Sequence, residues 1–188
     1  MAGVRRGFAA LCRIRHGRFP RYDTIPAMDT RWKPSVTVAA IIARDGRFLL
    51  VEEETSEGLK LNNAAGHLDP GESPAEGCAR EALEETAHAF TPTALVGIYL
   101  SRFRRSDTGE DITYLRFAFC GELGALEEGR ALDTGIVRTL WMTEAEVRAS
   151  ADRHRSPLLL RCLDDYLAGV RLPLSAVYTD ASVTLSNT

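Results

Sequence analysis

One segment constrains this chain more than any other: GHLDPGESPAEGCAREALEETAH, running from Gly66 to His88. Its middle carries a complete helix-start signal. Ser73 stands as N-cap, Pro74 takes the first helical position, and Glu76 follows three residues after Ser73, which is the arrangement of a capping box. A helix over Pro74 to about Ala87 is therefore expected, entered from a Gly/Pro/Asp loop over Gly66 to Glu72. At about 100° per residue, Glu81, Glu84 and Glu85 fall within roughly a third of the helix circumference, so three carboxylates converge. Like charges at these spacings weaken a helix by tenths of a kcal/mol per pair, and the clustering needs a reason. One reason is structural: Glu76, Arg80 and Glu84 are successive i,i+4 neighbours and can form a solvated ladder. The other is a divalent cation, because Mg2+ takes hard oxygen ligands and divides its octahedron among a few carboxylates, water and substrate phosphates. The loop favours the cation. Gly66 and Gly71 permit close backbone approach and unusual φ, and Glu72 arrives at the positive end of the helix dipole.

The surrounding pattern alternates strands with helices. Val36 to Ala43 is apolar and β-branched, Asp45-Gly46 is a hairpin turn signal, and Phe48 to Val51 returns as a second strand. A polar loop around Ser56 to Gly58 leads to a short strand over Leu59 to Ala65. Beyond the helix, strands are expected over Leu95 to Phe103 and Thr113 to Cys120, joined by a charged turn containing Asp107 to Asp111, and a last strand surrounds Leu140 to Met142. Thr143 with Glu146 forms another capping box for a short helix. Ser156-Pro157 opens an amphipathic helix on which Leu159, Cys162, Leu163, Tyr166 and Leu167 recur at helical spacing, ending near Gly169. Strands interrupted by one early helix and closed by another indicate an α/β fold of mixed, α+β type.

With 188 residues, 45% hydrophobic and 26% charged, the chain has room for one domain with a real core. The expected division is a basic, unstructured extension over residues 1–31, a single domain over 32–172, and a polar tail over 173–188. The net charge of −3 conceals an asymmetry: residues 1–28 hold six arginines and one acid, Asp23, so the body is strongly acidic. An acidic body disfavours binding to a nucleic-acid polymer and leaves room for a local arginine pocket that takes a small phosphorylated compound. The extension reads either as an organellar transit peptide or, as we favour, as an upstream segment with Met28 the true start. No apolar run reaches the length of a membrane span, so no membrane association is expected. Cys12, Cys78, Cys120 and Cys162 form no CxxC pair, and the last three sit among small or apolar neighbours as buried free thiols do, which fits a cytoplasmic protein.

The pattern formed by Gly66, Glu72, Arg80, Glu81, Ala82, Glu84 and Glu85 resembles the Nudix box. The resemblance extends over residues 32 to about 172, where WKPSVTVAAII, GRFLLVEE, AGHLDPGES, YLRFAF and RSPLL look like the NudJ-like bacterial phosphatase branch of that family. Two departures stand out. The glycine that normally follows the Glu-Glu pair is replaced by Ala87, which implies either a cost on the order of 1 kcal/mol or a helix that runs farther. Upstream, Leu61-Asn62-Asn63-Ala64 replaces the Trp-Asn-Gln-Pro usual in the branch, altering the substrate wall.

The resemblance implies a Nudix-type α/β/α sandwich with a mixed sheet, and Mg2+-dependent hydrolysis of phosphoanhydride bonds, with Mn2+ as a substitute ion. Glu81, Glu84 and Glu85 become the metal ligands, with the Gly66 carbonyl as a fourth. Glu72 and Arg80 orient loop and helix by charge-assisted hydrogen bonds. The general base is Glu81 or Glu85, or a loop acid, Asp111 or Asp133. Arg102, Arg104, Arg116 and His67 are expected to contact substrate, with Tyr99, Phe103 or Tyr114 available to stack on a heterocycle. The substrates implied are nucleoside di- and triphosphates and related pyrophosphates, including those of the thiamine pathway, with orthophosphate as main product. An ADP-sugar or dinucleoside-polyphosphate hydrolase, or a non-catalytic nucleotide sensor, is the competing expectation. The complete glutamate set favours an enzyme, acting as monomer or homodimer.

Overall fold

A computed structural model of the protein describes residues 32–105 and 108–184. The expectations for the arginine-rich segment, Met28, Cys12 and Asp107 fall outside these residues. Seven strands form a mixed sheet system: β1 (Ser35–Arg44), β2 (Arg47–Thr55), β3 (Gly58–Asn62), β4 (Ala64–His67), β5 (His88–Arg104), β6 (Asp111–Leu126) and β7 (Ile136–Thr143). The main path runs β3-β2-β1-β6-β5, with β4 added to β1 and β7 to β2. Among the described residues there are also three α-helices, α1 (Pro74–Thr86), α2 (Glu144–Ala149) and α3 (Leu158–Leu167), and short 3-10 turns.

The central strand explains the layers. β1 pairs in parallel with β6 and antiparallel with β4 and β2, and its side chains alternate between two cores. Val38, Ala40 and Ile42 pack with Cys78 and Ala82 of α1, while Ala39 and Ile41 pack with Leu159, Cys162 and Leu163 of α3 and Val147 of α2. A strand covered on both faces must be apolar at every position, which is why VAAII is a continuous run rather than an alternating one. The result is the expected α/β/α sandwich. Cys78, Cys120 and Cys162 are buried free thiols.

Local signals act where the sequence places them. Asp45 and Gly46 both have positive φ, 51° and 72°, as a two-residue hairpin turn requires. Both capping boxes form, at Ser73/Glu76 and Thr143/Glu146, each with the two reciprocal bonds. α1 stops at Thr86, and Ala87 adopts the left-handed conformation (φ 56°) with its N–H bonded to the Leu83 carbonyl. Of the two options left by the missing glycine, the chain takes the strained cap rather than a longer helix.

Three boundaries differ from the sequence expectation. The single strand expected over Leu59 to Ala65 is two strands, because the chain changes sheet at Asn63: β3 pairs with β2, and β4 crosses to β1. Gly66 and His67 consequently lie in strand, opposite Val38 and Thr37, not in a loop. β5 and β6 run much farther than expected, and β5 tolerates Pro92 because its pairing with β6 shifts register between Pro92 and Ala94. After α3, Leu172 bonds to both backbone groups of Leu95, and Val177 packs against the α1-side core.

Candidate active site

Every element of the candidate site meets at one residue, Arg80. From the second turn of α1 its Nε donates to Glu72 Oε2 at 2.9 Å, and Nη2 donates to Glu72 Oε1 at 2.8 Å and to the His67 carbonyl at 2.9 Å. Nη1 donates at 2.8 Å both to Glu81 Oε1 and to Glu84 Oε2. Glu72 Oε1 also accepts the Asp69 N–H at 2.7 Å. One planar guanidinium therefore ties the end of β4, the entry loop and the helix face together, a task that needs a fork of donors and not a point charge. The hydrogen bonds to Arg80 hold the Glu72 carboxyl below the usual range. Glu76 takes no part in this cluster. It is spent on the cap, where Oε2 accepts the Ser73 N–H at 2.8 Å, so the solvated ladder considered from the sequence is reduced to the Arg80–Glu84 pair.

The three helix carboxylates sit in unequal surroundings. Glu81 is 7% exposed and Glu85 9% exposed, whereas the Glu84 side chain is about a third exposed. Burial raises the Glu81 carboxyl, an effect that Arg80 opposes. Burial pushes Glu85 up to about 8, even though Oε2 accepts the Ala65 N–H at 2.7 Å, and the charges of Glu81, Glu53 and Asp133 add to the rise. Gly66 is required beside them by space. Its backbone is extended, but a methyl group there would overlap the Glu81 carboxylate, so only glycine lets that carboxylate lie on the strand. Gly71, by contrast, is the loop glycine with positive φ, 94°.

Among the described residues, no three His, Cys, Asp or Glu side chains stand together at metal-holding distance; Arg80 holds Glu81 and Glu84, and the Ala65 N–H holds Glu85. The donor set nevertheless fits a hard divalent cation. Glu81 and Glu85, both raised by burial and by neighbouring acids, are buried carboxylates, Glu81 lies over the Gly66 backbone, and oxygen-only donors of this kind suit Mg2+ or Mn2+.

The remaining expected residues divide into two groups. Strand register puts His67, Thr37, Arg116 and Tyr99 in one row across β4, β1, β6 and β5, with Tyr114 in the next row opposite Ser35 and Ser101. The His67 and Tyr114 rings lie 6.3 Å apart, tilted by 51°. Arg116 is buried, unlike a surface phosphate contact, and its Nε and Nη1 have no hydrogen-bond partner. Tyr99 donates to Asp165 Oδ2 at 3.0 Å, a structural bond to α3. The second group is elsewhere. Arg102, Phe103, Arg104 and Asp111 lie at the end of the β5–β6 hairpin, past the first residue of β1, and Arg102 is hydrogen-bonded to Asp111 through Nε at 2.6 Å. Asp133 is near the helix: its N–H donates to the Glu84 carbonyl at 2.9 Å, and its charge acts on Glu81 and Glu85.

Sequence reasoning passed over Glu53, although the charge of this β2 residue acts on Glu85. A signal was present, since a glutamate run that directly continues the buried stretch of Phe48 to Val51 has to put alternate carboxylates on a covered face.

The NUDIX domain model matches residues 31–162. The chain is 32% identical over 146 residues to the phosphatase NudJ of Escherichia coli strain K12, covering 78% of this chain and 92% of that protein. A NUDIX hydrolase from Nitrosomonas europaea is 48% identical and superposes with a TM-score of 0.72, over 79% of this chain and 98% of its own. The MutT protein of Methanosarcina mazei Go1, at 22% identity and a TM-score of 0.55 over 74% of this chain and 99% of its own, shares the fold. The helix carboxylates, the Arg80 hub and the glycine that makes room for Glu81 thus stand in a chain that belongs to the NUDIX domain family and is a Nudix hydrolase.

Proposed function

We propose that this hydrolase cleaves phosphoanhydride bonds in nucleoside di- and triphosphates and related pyrophosphates, thiamine-pathway compounds among them, with Mg2+ and with orthophosphate as the main product. The observation that carries the reading is the α1 carboxylate face, with Glu81 and Glu85 buried, Glu84 at its rim and Gly66 leaving the Glu81 carboxylate its space. The product assignment draws support from the likeness to the Escherichia coli phosphatase. A divalent cation on Glu81, Glu84, Glu85 and the Gly66 carbonyl would lower the pKa of a bound water and offset phosphoryl charge. The chain's own residues do the rest. Arg80 and Glu72 fix loop to helix, releasing Glu81 and Glu84 for the cation only by giving up two of the guanidinium bonds. Glu81 or Glu85, each already disposed by burial to hold a proton, takes the proton from the attacking water. His67 and Arg116 share one strand row and are the residues assigned to the substrate, Arg116 from a buried position, with Tyr114 in the next row to carry a heterocycle. Arg102 and Arg104 serve a phosphate only once Arg102 leaves Asp111.

Phosphate and pyrophosphate release, measured with Mg2+ over a panel of nucleotides, sugar nucleotides and thiamine-pathway pyrophosphates, tests the reading. Orthophosphate from di- and triphosphates with little base discrimination is expected. Exclusive cleavage of ADP-ribose or of dinucleoside polyphosphates would overturn it.

A further inference from the structure

Two adjacent glutamates of β2 are treated very differently by the fold. Glu52 points with Phe48 and Leu50 toward α3, and its two oxygens are taken up by Arg138 Nε at 2.7 Å and by Arg153. The bond from Arg138 holds its carboxyl below the usual range. It is a finished ion pair. Glu53 points the other way, with Leu49 and Val51, onto the face that packs against α1. Its Oε1 is buried and has no hydrogen-bond partner, and the nearest guanidinium, from Arg155, stays 3.9 Å away. Lys60, its cross-strand neighbour, turns its ammonium to Glu57 and to the Asp152 carbonyl instead.

The surroundings of Glu53 repeat this incompleteness. Asn62, on the same face of β3, acts on Glu53 as a hydrogen-bond donor, yet it is 94% buried with its own Oδ1 unpaired. The Arg116 guanidinium lies within electrostatic reach of both Glu53 and Glu85 and leaves Nε and Nη1 unmet. A buried acceptor without a donor costs free energy, and a buried carboxylate costs more, so a chain that completes the pair at Glu52 and leaves Glu53 open one residue later is keeping oxygens for another partner. The unmet oxygens of Glu53 and Asn62 are hard donors, and Asn62 closes β3 only three residues before Ala65, whose N–H holds the Glu85 carboxylate at 2.7 Å.

We propose that Glu53 is a further ligand of the divalent cation held by Glu85, with the side-chain carbonyl of Asn62 as its neighbouring oxygen donor. This rests on the metal-dependent reading of the α1 carboxylates and extends the site from the helix to β2. The cation satisfies two buried carboxylates that otherwise repel, and it supplies the partner that Arg155 does not reach.

The test is an Mn2+ titration of the full chain, followed by the electron paramagnetic resonance signal of the free ion, beside thermal unfolding in EDTA. Glu53→Gln is expected to weaken Mn2+ binding tenfold or more while the melting temperature in EDTA holds or rises, because an unmet buried charge has gone. Glu52→Gln should do the reverse, leaving Mn2+ affinity unchanged and lowering the melting temperature. If Glu53→Gln binds Mn2+ as the wild type does, or loses as much stability as Glu52→Gln, Glu53 is structural and the proposal is overturned. A wild-type chain that takes up no Mn2+ would overturn the metal reading itself, an outcome distinct from equal binding by wild type and Glu53→Gln.

Discussion

Removing the metal should make this protein progressively weaker as the pH rises, and Glu85 sets the size of the effect. Its carboxyl, ordinarily near 4.5, is pushed up to about 8 in the fold by burial. Between those values the unfolded chain has released the proton and the folded chain still holds it, so each pH unit removes about 1.4 kcal/mol of stability. Across the window the loss is on the order of 5 kcal/mol, a large part of the 5–15 kcal/mol typical of a domain. The contribution is fully present below about pH 4.5 and is gone above about pH 8; Glu81, also raised by burial, acts in the same direction. Glu85→Gln cannot ionise and keeps the side chain's size. Urea unfolding in EDTA at pH 5, 6, 7 and 8 should show the two proteins drawing apart, the wild type losing stability with pH much more steeply than Glu85→Gln. Excess Mg2+ should flatten the wild-type curve, since a cation that binds the ionised carboxylate rewards the deprotonated form. Wild-type and Glu85→Gln curves that run parallel in EDTA would refute the argument, because the buried carboxyl would then titrate no differently from an exposed one.

Other perturbations separate chemistry from stability. Gly66→Ala should abolish Mg2+-dependent phosphate release while costing only about 1 kcal/mol in urea unfolding, because the clash falls on the end of the Glu81 side chain, which can swing away. Glu84→Gln should remove turnover and leave the metal-free melting temperature equal or slightly higher, whereas Glu76→Gln should keep turnover and lose about 1 kcal/mol with the capping box. Arg80→Lys should lower both, by roughly 2 kcal/mol in stability, because an ammonium cannot reproduce the fork that grips Glu72 while also reaching Glu81 and Glu84. Ala87→Val should destabilise by about 1–2 kcal/mol with turnover intact, a β-branched residue being unsuited to the left-handed cap; an unchanged denaturation midpoint would contradict the cap geometry.

What the sequence determined by itself is local or periodic. The two capping boxes, the Asp45-Gly46 turn, the α3 stripe and the α1 carboxylate face each follow from residues a few positions apart, where side chain and backbone set one another directly. The mixed sandwich also followed, from strands interrupted by one early helix and closed by another; that VAAII is covered on both faces is what the structure adds. What the tertiary structure decided depends on register between distant strands. Whether Leu59 to His67 makes one strand or two is settled by β2 and β1 competing for it, and no residue inside the segment encodes the switch at Asn63. Arg116 and Arg102 look alike in sequence, as arginines on adjacent strands. One lies in the row with Thr37 and is buried, while the other falls past the start of β1 and pairs with Asp111. Glu52 and Glu53 differ only in strand parity, and burial follows from which helix packs on which face. Local chemistry can thus name the carboxylates and the helix that carries them. Which other charges share their low-dielectric surroundings is decided by packing, because burial and charge coupling depend on distances in space that sequence separation does not measure.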